Sequence, residues 1–296
     1  MKTSTACQFF LLILLTGSCT LVVDVDVPIQ KPKLTVNSLF TPDSVWSVAI
    51  TNSRNILDDD PFMPQTLAEV VILDEYENII SSLQQTGFGI YRSDQKPEPG
   101  KTYSIRISSP NQNSVSARGG IPKPVSILSL TKDTIIIDKD YGPHPMVVTE
   151  IRFQDPANEI NYYRFNLYTK LVYEYIRHDT QETVRDTTTF LLGLSEDSPE
   201  LLEGALPQHI ISDSKFNGKE VTLRLTPYLP YYGYTVVEAA IVTHSLSEEY
   251  YKYMTTLDLQ NSTDGDPFAQ PVKVFNNINN GFGIFAGYSS SYYPIN

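Results

Sequence analysis

The chain has 296 residues, 41% hydrophobic and 19% charged, a balance that supports a packed interior and excludes a disordered or wholly membrane-embedded chain. Its formal net charge of -12 repels phosphate backbones, which excludes nucleic acid as a partner and implies a solvated acidic surface.

The start, MKTSTACQFFLLILLTGSC, has one basic residue, an apolar run from Phe9 to Leu15 and then small residues. That is the layout of a secretory signal over residues 1–18, with an apolar stretch too short to span a bilayer. A buried N-terminal helix is the alternative. Cys7 and Cys19 are the two cysteines, and Cys19 directly follows Leu15-Thr16-Gly17-Ser18. The arrangement resembles a bacterial lipobox, with Thr16 where leucine is usual and Leu15 one step further back. The expectation is that Cys19 carries the lipid and that residues 19–32, with Pro28 and Pro32, are a tether. Three acyl chains at about 0.8 kcal/mol per buried methylene anchor with tens of kcal/mol, so the body needs no membrane-binding surface of its own.

Residues 33–125 read as one β-sandwich. KLTVNSLF, SVWSVAIT, AEVVILDE and TYSIRISS are rich in β-branched and aromatic residues and are separated by turn formers. The stretch Pro99-Gly100-Lys101-Thr102-Tyr103 resembles a turn of immunoglobulin-like and transthyretin-like modules. Gly119, Gly120, Pro122 and Pro124 mark a boundary. Residues 126–296 read as a larger antiparallel β domain, in which Tyr163, Phe165 and Leu167 alternate with Arg164, Asn166 and Tyr168. One helix is expected near 246–259, opened by a Ser245/Glu248 capping box, with Leu246, Tyr250, Met254 and Leu257 on one face against a sheet. The fold class is therefore mostly β.

Near the end, Gly281, Gly283 and Ala286 fit the spacing G-x-G-x-x-A of a dinucleotide fingerprint. Ten residues follow, with no acid and no room for the helix and ribose-binding carboxylate the motif needs, so no cofactor is expected. Asn279-Asn280-Gly281 reads as a turn into a closing strand, where the glycines admit a backbone or a ring, for example beneath the helix.

His144, His178, His209 and His244 are widely spaced, and no metal site is expected. Asp58-Asp59-Asp60 and the loop 261–266 lack the order of a calcium loop and read as solvated turns. No nucleophile motif appears, and no catalytic residue is assigned. Tyrosine is abundant, with 19 copies, and Tyr228, Tyr231, Tyr232 and Tyr234 cluster among prolines and a glycine. Their flat amphipathic rings suit glycan or peptide recognition, the plainer reading being that they cover sheet edges.

The lipobox-like start, KLTVNSLF, Phe153-Gln154-Asp155-Pro156, Asn161-Tyr162-Tyr163-Arg164, Leu246-Ser247-Glu248-Glu249-Tyr250-Tyr251 and the segment from Asn277 to Phe285 together resemble a family of Bacteroidetes lipoproteins, domain of unknown function 4249. The resemblance implies a non-enzymatic outer-membrane lipoprotein, accessory to a TonB-dependent receptor in uptake of a nutrient or metallophore. Asp24 and Asp26 loosely resemble the acidic sorting signal of surface lipoproteins, so the body is expected at the cell surface or otherwise facing the periplasm. A structural adhesin or fimbria-like subunit is the rival expectation, and a glycan-processing enzyme the third.

Overall fold

The computed structural model describes residues 31–55, 58, 61–139, 142–192, 210–225, 234–263, 265 and 268–295. Pro32–Asn296 groups as one compact unit. It is mostly β, with 15 strands and one long helix among the described residues. Alternation decides the first strand: in β1 (Leu34–Phe40), Leu34, Val36, Ser38 and Phe40 turn inward.

A 12-stranded sheet runs in the order β11-β10-β14-β15-β1-β2-β5-β4-β3-β6-β7, with β12 (Ile210–Ser212) pairing β10 off this path. Its first part uses β2 (Ser47–Asn52), β3 (Glu69–Leu73), β4 (Ile79–Gly87), β5 (Ile90–Arg92), β6 (Thr102–Ser108) and β7 (Val115–Gly120). Its second part uses β10 (Tyr162–Ile176), β11 (Thr183–Leu192) and β14 (Tyr234–Leu246). A separate three-stranded sheet joins β8 (Ile127–Lys139), β9 (Gly142–Gln154) and β13 (Glu220–Leu225).

The last strand, β15 (Phe282–Pro294), links the two parts. Its first half pairs parallel with β1, Phe282 opposite Thr35, and its second half pairs antiparallel with β14, Tyr288 opposite Leu246. The glycines there are explained by close backbone approach. Gly283 has φ +110°, and a Cβ on it would lie 2.0 Å from the Val36 carbonyl oxygen; one on Gly287 would lie 2.4 Å from that of Gly120. The closest neighbours of Gly281, Gly283 and Gly287 therefore belong to β1, β7, the residues beside them and Ile278; the helix, offered as an example from sequence, is not among them. Asn280, with φ +61°, takes the left-handed position of the turn, and Asn277 clamps the strand, its amide accepting from Phe285 N at 3.0 Å and donating to Phe285 O at 2.8 Å.

Two hydrophobic cores result. The first gathers Phe40, Trp46, Tyr103 and, from the last strand, Phe285, with Phe40 and Phe285 ring centroids 4.5 Å apart. In the second, Ile151, Phe153 and Leu223 of the small sheet meet Tyr163, Phe165 and Ile241 of the large one.

The helix α1 (Glu248–Thr263) lies over the opposite face of β10, β14 and β15, where Tyr251 stacks on Tyr162 at 4.1 Å. Its cap differs from the expected one. Ser247 accepts from Tyr250 N at 3.3 Å, while the Ser245 hydroxyl accepts from Val125 N at 3.0 Å. Leu246 still ends β14, so the helical face starts two residues later than its spacing implied.

Candidate functional site

Two motif segments meet at the end of the second core. Phe153-Gln154-Asp155-Pro156 closes β9 and Asn161-Tyr162-Tyr163-Arg164 opens β10. The carboxylate of Asp155 is buried and accepts from the Tyr163 hydroxyl at 2.6 Å and from Gly218 N at 2.8 Å. Asp213, equally buried, accepts from Asn161 N at 2.8 Å and from the Asn217 amide at 3.3 Å. Burial, with the Asp155 charge beside it, pushes the Asp213 carboxyl up against the pull of the Asn161 bonds. Burial and the bond to Asp155 drive the Tyr163 hydroxyl far upward, so it remains a proton donor. These charges are spent on holding loops 155–161 and 213–218 together.

Beside them opens a groove of about 820 Å³. Lys101, Arg118 and Lys123 come from the end of the first part, and Glu159, Glu248 and Glu249 from the second, so the rim carries both signs. Ser245, Ser247, Asn161 and Tyr163 also line it, with the Tyr163 hydroxyl committed to Asp155 and the Ser245 hydroxyl to Val125 N. The segment crossing the groove is held in place: Tyr293 donates its hydroxyl to Val125 O at 3.2 Å and accepts from Ile127 N at 3.3 Å. Such a surface is complementary in charge to a group that itself carries both signs.

On the face under α1, Arg164, His244 and Ser290 stand level across β10, β14 and β15. The His244 ring is hydrogen-bonded through Nδ1 to the Ser290 hydroxyl at 2.9 Å and packs edge-on to Tyr288. Burial, and secondarily the Arg164 charge, lowers its pKa to about 4 against the pull of Asp43, so the imidazole is neutral at pH 7. Tyr250 from the helix covers this group, 5.6 Å from Tyr288.

Tyr228, Tyr231 and Tyr232 lie outside the described residues, as does Cys19. Tyr234 opens β14 opposite Tyr173. His178 is exposed in the β10–β11 turn, far along the sheet from His244, and among the described residues no three metal-ligating side chains come together. The tyrosines that do assemble are others: Tyr162 with Tyr251, Tyr250 with Tyr288, and Tyr168 with Tyr292. Tyr162 and Tyr168 carried the signal, standing on the side of an alternating strand that reads as wet in sequence; that side is half-buried, Tyr162 lying under α1, because the partners depend on strand register.

No curated protein matches the chain. A family model described as a domain of unknown function, DUF4249, matches residues 21–293, which takes in the helix and every described strand except Pro294 at the end of β15. The three motif segments that build the Asp155 cluster and clamp β15 lie inside that match, and the chain belongs to the DUF4249 family.

Proposed function

We propose that the protein is a non-enzymatic outer-membrane lipoprotein, held by lipid on Cys19, that assists a TonB-dependent transporter in nutrient capture, its body at the cell surface or otherwise facing the periplasm. The lipobox-like segment before Cys19, and the resemblance of the motif segments to lipoproteins that accompany TonB-dependent receptors, support the anchored, accessory role. The observation that carries the recognition role is the groove lined by Lys101, Arg118 and Lys123 together with Glu159, Glu248 and Glu249. A peptide, a zwitterionic metallophore or a transporter loop satisfies both rims, whereas an uncharged glycan satisfies neither.

Tagged protein isolated from outer membranes in mild detergent is expected to bring a TonB-dependent receptor with it, and recovery of the protein alone would sink the proposal. Replacing Arg118 and Lys123 together by Glu should reduce that recovery without lowering the unfolding temperature. We also read β1–β7 as the immunoglobulin-like or transthyretin-like module expected from the sequence. Tyr103 supports this: its ring enters the first core while its hydroxyl accepts from Glu98 N at 2.9 Å, five residues back, as in a tyrosine corner. A crystal structure in which β1–β7 follow another strand order would overturn that reading.

An adhesin or fimbria-like subunit is the second reading, favoured by the parallel insertion of β15 beside β1 to complete a core, the geometry of strand addition. Deleting the gene would then reduce surface attachment and leave nutrient uptake intact.

A further inference from the structure

We propose that Phe62, Met63, Leu67 and Phe88 form a patch that inserts into the lipid interface at the end of the body where the Cys19 tether enters; the inference rests on the lipid anchoring proposed above. The four side chains are 61%, 69%, 71% and 87% exposed. Phe88 is the tip of the β4–β5 hairpin, between Gly87 and Gly89. Neighbouring apolar side chains left this open mark a contact surface, because water charges each of them about 1.5–3 kcal/mol relative to burial.

Their common position follows from the backbone. Met63 O accepts from Asn52 N at 3.0 Å, Gln65 N donates to Ile50 O at 2.9 Å, and Thr51 bridges Pro64, so the loop carrying Phe62, Met63 and Leu67 lies along the end of β2. Gly89 O accepts from Ile50 N at 2.7 Å, and Gly89 rests against Pro64, which sets Phe88 beside that loop. On the other side of β2, Lys33 binds Ser53 twice, its N donating to the Ser53 hydroxyl at 2.9 Å and its O accepting from Ser53 N at 2.8 Å. Tether entry and patch are therefore two strand spacings apart, about 10 Å.

The occupant follows from the tether. Residues 20–32 separate Cys19 from Lys33, and 13 residues span at most about 45 Å, so an acylated Cys19 keeps this end of the body within that reach of the bilayer, at a high local concentration of lipid. Cations stand where headgroups would be: the Arg54 guanidinium lies 4.6 Å over the Phe62 ring, and Lys33 Nζ 5.4 Å over that of Phe282. Asp58 is exposed on the same loop, so apolar insertion and not attraction to anionic lipid drives the contact, and zwitterionic phosphatidylcholine suffices.

The test uses the full chain, processed in cells and reconstituted into phosphatidylcholine vesicles. A Phe88→Cys variant carries a nitrobenzoxadiazole fluorophore, and a His178→Cys variant carries it at the opposite end of the sheet. The Phe88 probe is expected to shift to the blue and to be quenched by spin-labelled lipid, while the His178 probe stays aqueous. Adding Phe62→Ser and Met63→Ser should remove most of that quenching. Three results would overturn the inference: an acylated chain whose Phe88 probe is as aqueous as the His178 probe, a shift that requires a second protein, or one that grows with protein concentration without lipid. Intact mass of the Cys19 segment reports the anchor separately. An unacylated chain that still buries Phe88 in lipid refutes the anchoring and keeps the patch, and one with Phe88 in water refutes both.

Discussion

The two cores solve burial differently. In the first, Phe40, Trp46, Tyr103 and Phe285 pack ring on ring, and the tyrosine hydroxyls reach backbone at its edge: Tyr91 donates to Gln65 O at 3.0 Å and Tyr103 accepts from Glu98 N. The second encloses the Asp155–Tyr163 pair, and the fold nearby buries Asp213 and the hydroxyls of Thr149, Thr169, Thr243 and Ser289, none of the four with a hydrogen-bond partner. A dry aromatic core draws its stability from shape and area, and depends little on pH. A core ringed by buried polar groups is costlier to form and is sensitive to every lost hydrogen bond and proton. The groove lies at the polar core's end, where Tyr163 belongs to both.

The strongest way to break this contrast is at the strand the two parts share. Gly283→Val places a branched side chain at φ +110° against the Val36 carbonyl, and should cost at least about 5 kcal/mol. Both parts should suffer: fluorescence of Trp46, the single tryptophan, and tyrosine circular dichroism should lose their transitions together. An unchanged melting temperature would refute the strand's role. Trp46→Ala should cost about 3–5 kcal/mol by leaving a cavity in the first core, with equal loss at pH 7.5 and pH 5 in urea unfolding.

Acid should act on the second part. The unfolded chain binds a proton at His244 near pH 6.5 and the folded one only near pH 4, so the unfolded state takes up more protons between them. The contribution of the neutral imidazole is complete above about pH 6.5 and falls by up to about 3 kcal/mol as pH drops to 4. Asp213, whose carboxyl is raised, works in the opposite direction, since its protonation relieves a buried charge. His244→Gln should flatten the loss between pH 7 and pH 4.5, and an unaltered slope would place the acid sensitivity elsewhere. Tyr163→Phe leaves Asp155 Oδ1 without its donor and should cost about 2 kcal/mol in urea unfolding, sharpening the difference from the dry core. At the small end, Lys252→Ala removes the exposed 2.8 Å pair with Glu248 on α1 and should shift stability by less than about 0.5 kcal/mol.

Much of the fold was legible. Alternation in KLTVNSLF and in Tyr163, Phe165 and Leu167 marked the buried faces, because a strand's side chains change sides at every residue. The helix was found from its spacing, but its cap was misplaced: Ser245 and Ser247 are both plausible caps in sequence, and Ser245 is claimed by Val125 from 120 residues away. The groove was not legible at all, since its basic and acidic lining residues come from segments more than 30 residues apart whose meeting depends on strand order.

The last strand shows where the division falls. Asn279-Asn280-Gly281 announced a turn and a strand, because φ preferences are local. That the strand would run parallel to β1, with Gly283 against Val36 and Phe285 in a core that begins at Leu34, depended on pairing. Nothing local encodes it. Backbone hydrogen bonds are alike for every residue, and which strand becomes the neighbour is settled when all the apolar faces are buried together.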